Sequence, residues 1–142
     1  MAIDEQDFHE FYQAWNNSVY SFCRLFLGAD EPAELATQQA FVEYVRERDP
    51  LVTDKLPRKL MRNAVSEALK LEREEPRFPE TEELEDLLPL LRPTDRAVFI
   101  LRMTLDLSPI ETASILQLPV ETVNESWLKA SLYLRDVWLK KK

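Results

Sequence analysis

The sequence predicts an all-α protein of two small helical units joined by an acidic linker. Apolar residues recur near a helical period along most of the 142-residue chain, with no sustained alternation of the kind a half-buried strand needs. Gly28, Pro50, Pro76 and Pro93 punctuate that pattern, because each disfavours continued helix around it. Residues 72–86, EREEPRFPETEELED, hold eight acids against two bases, and this charge run marks the joint. The expected units are residues 1–71 and 87–142. Each is small enough to be marginal alone, so docking of one on the other is expected.

The first helix is read from Phe8, Phe11, Tyr12, Trp15, Val19, Phe22 and Phe26, which share one face. Gly28, the only glycine, stands where the left-handed residue after a helix belongs. Asp30 and Pro32 open a second helix, which runs through Arg46 and stops before Asp49-Pro50. Thr53 is placed as the cap of a third, with Pro57 in its first turn. Leu56, Leu60, Ala64, Ala68 and Leu71 supply the buried stripe of that helix.

In the second unit Ser108 and Glu111 have the spacing of a capping box, and Pro109 suits a first helical turn. Ile110, Ala113 and Leu116 are expected to line one face of this short helix. A break at Leu118-Pro119 follows, and Val120 starts the last helix. At roughly 100° per residue, Val120, Val123, Trp127, Ala130, Leu134 and Val137 form its inner stripe. Glu121, Glu125, Leu128, Leu132 and Leu139 fall on the outer face, flanked by Lys129, Arg135 and Asp136. Residues 107–135 therefore read as a helix-turn-helix. In a DNA-reading helix that outer face meets bases and phosphates. Two carboxylates there are repelled by phosphate, and three leucines gain little from it. A stripe of this kind predicts a protein contact instead: with the first unit, with a second copy, or with a regulator.

Composition narrows the function. The net charge of −8 divides as −4 for residues 1–71, −6 for the linker and +2 for residues 87–142. Long-range steering therefore opposes an encounter with DNA. One cysteine allows no internal disulfide, and Cys23 is read as a small buried hydrophobe. A lone His9 with no second histidine and a single cysteine makes no zinc site. One glycine is too few for a glycine-rich phosphate loop. The carboxylates lack a partner base or nucleophile, so neither enzymatic activity nor a cofactor is expected. No run approaches the roughly 20 apolar residues of a membrane span. The start, MAIDEQDF, lacks the apolar core of a signal peptide, and a cytoplasmic location with no membrane partner is expected.

Leu107-Ser108 through Ile115-Leu116 and Val120 through Val123 resemble region 4 of bacterial RNA polymerase sigma factors, especially the extracytoplasmic-function (ECF) type. Leu91 through Arg102 resembles the helix that precedes that motif in the family. The recognition helix is divergent: Gln117 stands where the family usually has Gly, and Pro119 where it has a Ser or Thr cap. Asn124, Ser126 and Ser131 occupy the family's basic positions. Residues 8–71 resemble region 2, in the family's order and spacing. The resemblance implies that Glu34, Gln38, Phe41 and Arg46 grip core RNA polymerase, with Leu35 replacing a usual Asp and Glu43 a common basic residue. It implies that Arg58, Lys59, Arg62, Asn63 and Lys70 handle promoter DNA. Arg58 and Arg62, four apart, share a face that suits phosphate. Thr122, Asn124, Lys129 and Arg135 are the DNA candidates left on the recognition helix.

Three functions stay open. The first is a transcription initiation regulator that binds core polymerase and contributes to recognition of the −10 and −35 promoter elements. It would act by recruitment and by capture of unstacked bases, without chemistry of its own. The second is a sigma mimic, deficient in DNA binding, that contacts an anti-sigma protein or polymerase. The third is an unrelated helical interaction module. The resemblance of both units favours the first, and the outer face of the last helix favours the second. Self-association through that face is a further expectation.

Overall fold

The structure, a computed structural model, describes residues 4–72 and 87–140. The acidic linker proposed at residues 72–86 lies outside the described residues except for Glu72. All regular elements among the described residues are helical. Helix α1 (Glu5–Leu27) starts where the Asp4 carboxylate accepts from the Gln6 N–H at 2.8 Å. It ends at Gly28, whose φ of 75° lets its N–H reach back to the Arg24 carbonyl at 2.8 Å. Helix α2 (Asp30–Arg46) follows at once. The Asp30 carboxylate accepts from Tyr20 Oη at 3.0 Å and Arg24 Nε at 2.7 Å, which ties the corner between the two helices. Those two donors hold the Asp30 pKa below its ordinary value.

The segment between α2 and α3 is fastened from both helices behind it. Trp15 Nε1 donates to the Val52 carbonyl at 2.7 Å, and Tyr44 Oη donates to the Pro50 carbonyl at 2.6 Å. Helix α3 (Arg58–Lys70) begins only after Pro57. Here the expected Thr53 cap is corrected: Thr53 is exposed in a bend, and the helix has no side-chain cap. A residue five positions ahead of the first helical residue cannot reach its open N–H groups.

Aromatic packing builds the first core. Phe11 stacks on Tyr44 with ring centroids 5.0 Å apart and meets Phe41 edge-on at 5.8 Å. Val19, Phe22, Phe26, Leu60, Met61 and Ala64 complete it. Cys23 is fully buried there, as its place on the aromatic face predicts, and burial pushes its thiol up to about 12.

A 3₁₀ turn (Leu88–Leu90) leads into α4 (Pro93–Thr104), α5 (Pro109–Leu116) and α6 (Val120–Lys140). The capping box at α5 is present: Ser108 Oγ accepts from the Glu111 N–H at 3.1 Å, and Glu111 Oε1 from the Ser108 N–H at 3.2 Å. Gln117 closes α5 in the left-handed region at φ 56°, so the turn keeps a glycine-like conformation without glycine. The inner stripe of α6 is also found, with Val123, Ala130 and Leu134 buried and Trp127 stacked on Phe99 at 5.2 Å.

The face expected for α5 is corrected in one place. Ile110 is 66% exposed, and Thr112, Ala113 and Ile115 are the buried residues. The reason is that α5 packs on three helices at once, α3, α4 and α6. Ile115 joins the large core shared with the first three helices, whereas Ala113 meets Val98 and Val123. Ile110, in the first turn, sits outside both contacts.

The two helical groups are docked. Helix α1 packs against α4, and α3 against α5, so one apolar cluster runs from Phe11 through Ile100 and Leu101 to Ile115. Arg96 locks the joint. Its buried guanidinium donates to the carbonyls of Leu88 at 3.1 Å, Leu91 at 2.8 Å and Phe26 at 3.2 Å, and pairs with Glu72 at 2.6 Å. It also lies 4.7 Å from the centre of the Phe26 ring.

Candidate protein and nucleic-acid interfaces

A groove of about 730 Å³ runs between α1 and α2, lined by Glu5, Phe8, Tyr12, Gln38, Phe41, Val42, Val45 and Arg46. It arises because α2 presents Gln38, Val42 and Arg46 on a surface edge while Phe41 and Val45 turn inward. Three of the four residues expected to grip polymerase, Gln38, Phe41 and Arg46, therefore line one surface feature. Glu34 lies on the same helix, exposed but outside the groove lining. Phe41 is only 3% exposed, and its ring lies 4.9 Å from that of Tyr12. Its position makes it the floor of the groove and a core residue rather than a free contact. Arg46 is paired with Glu43 at 2.9 Å, and Leu35 is solvent-exposed.

Helix α3 gathers the five residues expected to meet promoter DNA, but the fold has engaged most of them. Arg62 donates from Nη2 to the Ser114 carbonyl at 2.9 Å and from Nε to the Ile115 carbonyl at 3.2 Å. It therefore satisfies the open C-terminal end of α5, where a cation is favoured by the helix dipole. Asn63 donates to the Ala40 carbonyl at 3.3 Å, fixing α3 on α2. Lys59 is bracketed by Glu47 and, at 2.9 Å, by Asp49. The hydrogen bond to Glu47, followed by that to Asp49, raises the Lys59 pKa. Lys70 pairs with Glu67 at 3.0 Å while staying largely exposed. Arg58 is exposed and makes no salt bridge to a described residue. Arg58 and Lys70 are thus the most exposed cations of α3, whereas Lys59 is held between two carboxylates and Arg62 by α5.

On α6 the arrangement is reversed. Glu121, Asn124, Glu125, Leu128, Lys129, Leu132, Arg135 and Leu139 are all exposed, and Thr122 is half-buried. Leu128 is 58% and Leu139 53% exposed, so the outer stripe is open along its length. Ser126 is buried and Ser131 half-buried, so two positions that the resemblance assigns to recognition turn inward.

Two structural residues escaped the sequence reading. Arg96 is the buried joint, and Arg102 covers the Trp127 ring at 4.8 Å while donating to the Leu107 carbonyl at 3.3 Å. For Arg96 a signal existed: it directly precedes the apolar run Ala97 to Leu101, where a solvated charge is out of place. For Arg102 none existed, because its partners lie beyond a turn and on another helix.

No described helix is long and apolar enough to cross a membrane, and no cluster of three or more His, Cys, Asp or Glu among the described residues can hold a metal ion. Residues 81–126 match the family model described as Sigma-70, region 4. The matched span takes in α4, α5 and the first third of α6, and ends before Leu128. A comparison with curated proteins finds no match to the chain.

Proposed function

We propose that this protein is a sigma-factor-like regulator of transcription initiation, of the extracytoplasmic-function type, that binds core RNA polymerase and contributes to promoter recognition. One observation carries this reading: the match to Sigma-70, region 4 falls on a helix-turn-helix with an intact capping box and a left-handed turn. The α1–α2 groove supports the polymerase half of the proposal. Its apolar floor and its Gln38 and Arg46 rim suit a helix of a protein partner, with side-chain burial supplying affinity and the rim supplying orientation. For DNA, Arg58 and Lys70 offer phosphate contacts, and Lys129 and Arg135 are the only cations among the described side chains on α6. Function on this reading is recruitment and positioning, with no bond made or broken by the protein.

The outer face of α6 favours a second reading. Glu121 and Glu125 repel phosphate, and the exposed leucines beside them fit a protein surface. A sigma mimic that contacts an anti-sigma protein or polymerase, without reading promoter DNA, uses that face directly. Pull-down of the intact chain with core polymerase, and separately with anti-sigma proteins, distinguishes the two. On the first reading core polymerase is captured, and Gln38→Ala with Arg46→Ala weakens capture while helical content stays unchanged. Capture by an anti-sigma protein that is lost with Leu128→Glu, and no capture by polymerase, supports the second. Phe41 is unsuitable as a probe, because truncating a buried Phe costs about 3–5 kcal/mol of stability.

A further inference from the structure

The outer face of α6 has a finer pattern than an apolar stripe. Glu121, Glu125, Leu128, Leu132, Arg135 and Leu139 are separated by four, three, four, three and four residues, the spacing of a coiled-coil seam. All six are exposed, and they lie opposite the buried Val123, Ala130 and Leu134. The seam therefore points away from the rest of the chain and extends over about 27 Å of helix at 1.5 Å per residue.

The charges on this seam are not scattered. Its N-terminal end is acidic, with Glu121 and Glu125, and its C-terminal half carries Arg135. Arg135 makes a long 3.5 Å contact with its sequence neighbour Asp136, and both side chains are about 60% exposed. That contact holds the guanidinium weakly.

We propose that the partner of this face is a second copy of the same chain, paired through α6 in an antiparallel two-fold arrangement centred near Ala130. A two-fold axis at that point sets each residue against the one equally far on the other side of Ala130 in the second copy, so each contact occurs twice. Leu128 then meets Leu132, which makes the apolar centre. Glu125 meets Arg135 on each side of it, closing two ion pairs across the interface. Glu121 comes beside Leu139 at the open ends, where its carboxylate keeps its water. A parallel pairing sets Glu121, Glu125 and Arg135 against themselves, and like charges directly opposed disfavour it. The charge pattern thus selects both the partner and the direction. This pairing does not depend on polymerase or promoter binding, but it covers the outer face of α6 and so excludes DNA from it.

Sedimentation of the intact, purified chain over a concentration series tests the inference without any other macromolecule. The wild type is expected to show a concentration-dependent monomer–dimer equilibrium. Glu125→Arg alone and Arg135→Glu alone should each weaken dimerisation by about tenfold or more, because each opposes like charges across the seam. Mixing the two single variants should restore a dimer containing one copy of each, since Arg at 125 then meets Glu at 135 and the reverse. Leu128→Glu with Leu132→Glu should give a monomer of unchanged helical content. A wild type that stays monomeric at the highest attainable concentration overturns the proposal. So does a dimer that both charge reversals leave intact, or a mixture that fails to re-form one.

Discussion

Helices α3 and α6 are the two that the sequence offers to DNA, and their surfaces differ in opposite ways. On α3 the charges suit phosphate, but Arg62 is engaged by Ser114 and Ile115 and Lys59 by Glu47 and Asp49. On α6 the surface is open, but it presents Glu121, Glu125 and a leucine stripe. Charge count and accessibility are separate requirements, and neither helix meets both in full. The cause lies in the docking of the two groups: α5 lies on α3 and takes its central arginine as a C-terminal cap. That contact takes up a cation that the sequence offered to DNA while stabilising the joint.

The largest test of this difference is to remove the joint. Arg96→Ala leaves the carbonyls of Phe26 and Leu91 without their guanidinium donor, takes one of two donors from the Leu88 carbonyl, and leaves Glu72 without its cation. Breaking a buried pair in this way costs about 3–5 kcal/mol. Urea denaturation should show that loss, and small-angle scattering a larger radius as α4 loosens from α1. Unchanged stability would mean that Arg96 does not hold the groups together.

Arg62→Ala is expected to have a smaller effect. It deletes two hydrogen bonds from a charged donor at a part-buried site where water can return to the freed carbonyls, so the loss should be about 1.5–3 kcal/mol, near the value of a single buried bond of this kind. Arg135→Ala on the exposed face of α6 should change the stability of the monomer, measured at low protein concentration, by no more than about 0.5 kcal/mol. Thermal melting of the two variants side by side checks the contrast between an engaged and an exposed arginine. Equal effects would remove it.

These two arginines also mark what can be read from residue types alone. Local rules located Gly28, the Ser108–Glu111 box and the Val123 stripe, because caps and periodic faces depend on residues within one or two turns. The groove was not legible in this way: Gln38 and Arg46 were singled out by family resemblance, and no local pattern shows that they share one rim with Phe8 and Tyr12 of α1. Arg62 looked like a phosphate ligand because its partners stand more than fifty positions away, on a helix whose placement no local pattern specifies. Ile110 misled for a related reason: α5 packs on three helices, and an amphipathic reading assumes one buried face. Phe41 combines both lessons, since an inward-facing residue on α2 can floor a groove without being available to a partner.

A weaker effect separates the cations of α3 from those of α6. Each neutralised phosphate contributes about 0.9 to the log–log slope of affinity against salt. Arg58 and Lys70 alone should therefore give a slope near about −2 for duplex DNA. A slope near about −4 would show that Lys59 and Arg62 leave their partners on binding. Lys129→Ala should leave the slope almost unchanged. A marked flattening by that substitution would place the main phosphate contacts on α6.

The most direct comparison uses a photoreactive side chain at position 58 or at position 128 of the intact chain, irradiated with core polymerase and promoter DNA. If α3 supplies the nucleic-acid contact and the outer face of α6 a protein contact, position 58 should yield a DNA adduct and position 128 a protein adduct. A DNA adduct from position 128, with none from position 58, would contradict that division.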